Sequence, residues 1–198
     1  MEQLLPLVFT SGWASGVNAY ATVLMLGLLG RFAGLDHVPD GLMRTDVLIA
    51  AAVLYALEFV TDKIPYVDSL WDAVHTVIRP TVGAVIALLV SGDATSLEQA
   101  VLVATGGLTA LAAHLVKGGL RLAVNASPEP ASNIVVSLAE DGAVAGVIAL
   151  AVGWPWVAAA VAAVLLATGV ALVVLLWTRV RRGLRRRRER RLSPPAAS

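Results

Sequence analysis

Asp68, Asp72, His75 and Arg79 follow one another at intervals of four, three and four residues, which stacks two carboxylates, an imidazole and a guanidinium on one face of a helix. Such a face can pass protons or hold a cation. A second polar stripe, Asn133, Ser137 and Glu140, is spaced four and three with Asp141 adjoining it, and Glu58 and Asp62 stand one helical turn apart. Asn18 interrupts an apolar stretch, where its amide is expected to bond a neighbouring helix or line the same cavity. Glu129 lies in Asn125-Ala126-Ser127-Pro128-Glu129-Pro130, a stiff turn that can fold back toward these groups.

Asp72 and His75 three residues apart could share a divalent cation with Asp68 or Glu129. The same groups suit proton relay, so a metal is the lesser reading, and no cofactor is expected. His37, in an outer segment, reads as solvated. No G-x-S-x-G, H-E-x-x-H or phosphate-loop pattern is present, and there is no cysteine. An enzyme is therefore not the leading expectation.

The elements that must carry these residues are set by composition. Of 198 residues 58% are hydrophobic and 15% charged, with a mean hydropathy of +0.78, outside the usual range of a soluble domain. Residues 1–178 hold six basic and thirteen acidic side chains, whereas 179–198 hold nine arginines and one acid. Met1-Glu2-Gln3 lacks the basic start of a secretory signal, so the first apolar stretch is expected to be retained.

Laying about 20 residues per crossing along the chain predicts an all-α polytopic membrane helix bundle of about six spans. These are Leu4 to Leu29, Thr45 to Thr61, about Trp71 to Ser91, Leu97 to Val116, Asn133 to Ala151, and Trp154 to Trp177. The third and fifth reach full length only by taking in charge, and they are expected to be interrupted where Pro80 follows Arg79 and Gly142 follows Asp141. An even count puts both termini on one side. The nine arginines, with Lys63, Lys117 and Arg121 in intervening loops, assign that side to the cytoplasm of a cell membrane. The integral domain is expected to cover 1–178 and a disordered basic tail 179–198, gripping anionic lipid headgroups rather than nucleic acid.

Residues 83–90 and 145–152 share five of eight positions at a shift of 62. This suggests two similar hairpins related as parallel repeats, with Arg79 expected to reach Glu140 or Asp141. The glycine pairs Gly12/Gly16 and Gly142/Gly146 are spaced for close helix contact.

Together, Ser15 to Tyr20, Asp62-Lys63-Ile64-Pro65-Tyr66-Val67-Asp68 with Trp71-Asp72 and His75-Thr76, Arg79-Pro80, and Ser127-Pro128-Glu129-Pro130 with Asn133, Ser137 and Glu140-Asp141 resemble a multi-pass bacterial membrane family designated domain of unknown function 4126. The resemblance spans about residues 5 to 178. It implies a multi-pass protein and no particular activity. The leading expectation is a transporter or permeation unit for an ion or small polar solute. The alternatives are a membrane enzyme acting on a lipid or lipid-linked substrate, and an accessory subunit. Assembly into an oligomer is compatible with each.

Overall fold

The structure, a computed structural model, describes residues 4–35, 38–64, 66–125 and 130–192, and all regular structure among them is helical. The helices are α1 Leu4–Val17, α2 Ala19–Ala33, α3 Asp40–Met43, α4 Thr45–Thr61, α5 Val67–Ser91, α6 Ser96–Asn125, α7 Pro130–Gly153 and α8 Pro155–Leu192. Four are long and apolar enough to cross a membrane: α5, α6, α7 and α8. The bundle is inside out. On α5, Leu70, Val74 and Val77 are 70%, 58% and 73% exposed, while Asp68, Asp72, His75 and Arg79 are between 0% and 5%. That distribution suits a helix whose outer face meets lipid and whose charges face other helices.

The first expected span is instead a bent pair. Asn18 leaves the helix (φ −150°, ψ 103°) and its side chain accepts from the Ala21 amide, capping α2. An asparagine at such a position supplies the acceptor that the first turn of the new helix lacks. Each arm, of 14 and 15 residues, extends only about 21–23 Å. Packing fixes their directions. Leu4 and Val8 lie with Val90, Ala87 and Leu102 near the end of α5 and the start of α6. Gly12 meets Gly106, and Gly16 meets Ala110 and Ala113 further along α6. The chain then turns back, so that Leu26, Leu35 and Val38 share a cavity with Leu7, Val152 and Pro155. Both ends of the pair thus return to one end of the bundle, with Asn18 at the buried tip. Leu4 packs beside Leu102 near the start of α6, and Val173 of α8 packs on Gly119 toward the end of α6.

Other expectations shift for similar reasons. α5 runs through Pro80 and α7 through Gly142 without a break. Proline removes one backbone bond, the one to the Thr76 carbonyl, but the helix stays continuous where α1 and α6 pack along it, and Ser15 Oγ of α1 donates to the adjoining Arg79 carbonyl at 2.9 Å. The helix that breaks is the first. α6 is longer than the fourth expected span and draws in Lys117 and Arg121. α8 continues as helix to Leu192 through most of the basic run expected to be disordered. The expected hairpins α4–α5 and α6–α7 touch little, because α5 packs chiefly on α6 and α1. A Cβ on Gly12 or Gly83 would press on the Gly106 backbone at 2.7–2.8 Å, whereas Gly142 and Gly146 face open space. Only the first glycine pair serves close packing.

Candidate functional site

Three cations buried between the helices organise the polar residues into one network. Arg79, fully buried on α5, reaches back to α4 and across to α6. Its Nη2 lies 2.7 Å from Glu58 Oε1 and 3.0 Å from Asp72 Oδ1, and its Nη1 donates to His114 Nδ1 at 2.9 Å. Lys117 on α6 bonds Asp62 Oδ2 at 2.6 Å, with Glu140 Oε2 at 3.6 Å and Glu58 Oε1 at 3.8 Å. Arg121, one turn on, bonds Glu140 Oε2 at 2.5 Å, the Asp62 carbonyl at 2.6 Å and Asn133 Oδ1 at 3.1 Å, with Asp68 Oδ2 at 3.4 Å. Lys63 joins the edge, donating to Ser137 Oγ at 3.2 Å with Asp141 Oδ2 at 3.9 Å.

The bent pair inserts its tip into this network. Arg79 donates to the carbonyl of Gly16 and Lys117 to that of Val17, at 3.4 and 3.0 Å, meeting the free carbonyls at the end of α1. Asn18 Nδ2 donates to Asp141 Oδ1 at 3.1 Å beside the start of α2. Cations at a helix C-terminus and a carboxylate near a helix N-terminus are the favourable pairings for two half-helix dipoles, and discontinuous helices create such ion sites inside membranes.

The two histidines are fixed by their partners. Arg79 can only donate, so His114 Nδ1 accepts and its Nε2 carries the hydrogen directed at Thr76 Oγ1, 3.0 Å away. His75 Nδ1 lies 2.8 Å from the Trp71 carbonyl and must donate to it, leaving Nε2 to face the Tyr20 hydroxyl at 3.0 Å. Asp62 stands just beyond α4. Burial alone would push its carboxyl up, but Lys117 and Arg121 outweigh that and hold it below the ordinary aspartate range.

Eleven of the twelve expected site residues fall in or beside this network, and Glu129 lies outside the described residues. The expected pairing of Arg79 with Glu140 or Asp141 is replaced: Glu58 and Asp72 take Arg79, while α6 interposes Lys117 and Arg121 as partners for Glu140. No three His, Asp or Glu side chains among the described residues converge closely enough to hold a metal ion, because Asp68, Asp72 and His75 each turn to other partners. Sequence reasoning missed Lys117 and Arg121 as site residues by assigning them to a loop. Their signal was the spacing of His114, Lys117 and Arg121, three and four, which continues one face of α6.

Two cavities adjoin the network. A groove of about 340 Å³ between α5 and α6 is lined by Asp72, Thr76 and His114 with Gly118 and Leu122. A largely apolar cavity of about 270 Å³ among α1, α6, α7 and α8 has Lys117 and Glu140 in its wall. No curated protein and no solved structure matches the chain. The family model described as Domain of unknown function (DUF4126) matches residues 5–175, and the chain belongs to that family.

Proposed function

We propose that the protein is a small membrane transporter or permeation unit for an ion or small polar solute, with its polar site at the tip of the α1–α2 pair. The observation that carries this reading is the meeting of that buried tip with Arg79, Lys117 and Asp141. Non-helical backbone at membrane depth is tolerated where it lies inside protein or lines a polar path, and a carboxylate network there is costly unless it serves a charge. The groove reaching Asp72, Thr76 and His114 supplies an approach from one face. The basic end of α8 is assigned to the cytoplasm, where its arginines meet anionic headgroups.

The experiment is reconstitution of the purified chain in liposomes and a flux screen of protons, monovalent ions and small polar solutes. Wild type is expected to pass at least one of these, and Asp72→Asn or Glu140→Gln to cut that flux about tenfold or more while remaining folded. Equal leak in protein-bearing and empty vesicles, across the screen, overturns the reading. The apolar cavity bearing Lys117 and Glu140 favours a second one, an activity on a lipid or lipid-linked substrate. It predicts that lipid co-purifies and is lost when Gly169, which borders that cavity, is replaced by Leu.

A further inference from the structure

Glu58 and Asp72 come from different helices and meet at one nitrogen. Arg79 Nη2 is 2.7 Å from Glu58 Oε1 and 3.0 Å from Asp72 Oδ1, so two carboxylates share one guanidinium. The Glu58 side chain is fully buried and the Asp72 side chain nearly so. Glu58 Oε2 and Asp72 Oδ2 are themselves buried and accept no hydrogen bond. Two like charges this close, in a site with one positive charge to divide between them, resist ionising together.

The surrounding groups do not relieve the excess. Lys117 approaches Glu58 Oε1 at 3.8 Å but is bonded to Asp62 and the Val17 carbonyl at 2.6 and 3.0 Å. Lys117 and Arg121 together face Asp62, Asp68 and Glu140, so α6 has no positive charge to lend. Lys63 is matched by Asp141. His114 faces Arg79 through an unprotonated Nδ1, and His75 is turned to Trp71 and to Tyr20 of α2. With no trio of His, Asp or Glu converging among the described residues, the simplest charge that fits is a proton.

We propose that Glu58 and Asp72 form a proton-binding pair, holding one exchangeable proton between them across Arg79 and communicating with the groove between α5 and α6 through Asp72. Binding converts one carboxylate to a carboxylic acid and leaves one anion for one guanidinium. This names the ion that the proposed permeation site carries or couples to, and only its transport role rests on that reading.

Infrared spectroscopy of the purified full chain at neutral pH tests it. The carbonyl stretch of a protonated carboxylic acid is expected in wild type, to shift in D2O, and to vanish in both Glu58→Gln and Asp72→Asn, because each variant leaves a single carboxylate facing Arg79. Asp46→Asn, at an exposed site, must leave it unchanged. If an amide variant does not fold, Glu58→Asp takes its place and must move the band. The proposal is overturned if folded wild type has no such band, if the band persists unaltered in the variants, or if it emerges only when sodium and potassium are exhaustively removed. A band without flux in vesicles sinks the transport reading and leaves the proton pair standing; flux without a band does the reverse.

Discussion

At the residue scale, the buried charges of the network hold position through partners from other helices, and breaking a buried pair is far costlier than breaking an exposed one. Removing one member strands the other in a water-poor site, typically at about 3–5 kcal/mol, whereas a solvent-exposed pair contributes about 0–1 kcal/mol. Arg121 bonds Glu140, Asp62 and Asn133 from within the core, while Arg44 pairs only with Asp46 at the surface. Arg121→Ala is therefore expected to lose most folded protein or to lower the melting temperature in detergent sharply, and Arg44→Ala to leave it nearly unchanged. The pairing itself is checked by exchange: Arg79→Glu with Glu58→Arg should recover folded yield lost in Arg79→Glu alone, and Arg79→Asp with Asp141→Arg should not. Recovery in the second pair only would mean that the sequence-based partner assignment was right.

At the element scale, close approach decides which glycines matter. A methyl on Gly12 would meet the Gly106 carbonyl oxygen at 2.7 Å, backbone against backbone, while one on Gly146 meets nothing. Gly12→Ala is expected to destabilise the α1–α6 contact, and Gly146→Ala to be neutral or stabilising by about 0.4–1 kcal/mol through the unfolded chain; parallel thermal melts compare them. The same elements show how far the sequence could be read. The polar faces of α5 and α7 follow from spacing alone, since a residue every three or four positions needs no tertiary information. α4 was legible to its end residues because charge and apolar length agree there. The bend at Asn18 was not, because no charge, proline or loop composition marks it. It is stabilised by donors from Arg79 and Lys117 and by Asp141, all distant in sequence. Lys117 and Arg121 were hidden by the opposite error: charge in an apolar chain reads as a loop until the acids that neutralise it are seen on α4, α5 and α7.

At the scale of the whole molecule, the bent pair bears on which side of the membrane each end of the chain is expected to lie. Lys117 and Arg121 are buried among acids and so cannot act as loop charges in the positive-inside rule. What remains is Lys63 and the arginines from Arg179 to Arg191 toward one end of the bundle, against Arg31 and Arg44 toward the other. That asymmetry still favours a cytoplasmic end for α8. Because α1 and α2 both return to the opposite end, the start of α1 at Leu4 is expected outside, together with α3. The chain contains no cysteine, so single cysteines can be introduced at Glu2, Asp40 and Ser198 and exposed to a membrane-impermeant maleimide on intact cells. Glu2→Cys and Asp40→Cys should react and Ser198→Cys only after lysis. Reaction at position 40 with protection at position 2 would mean that the first two helices cross the membrane as one span and would remove the buried tip on which the permeation reading depends. Reaction at position 198 with protection at 2 and 40 would keep the bent pair but invert the bundle, turning the network from the cytoplasmic half toward the outside.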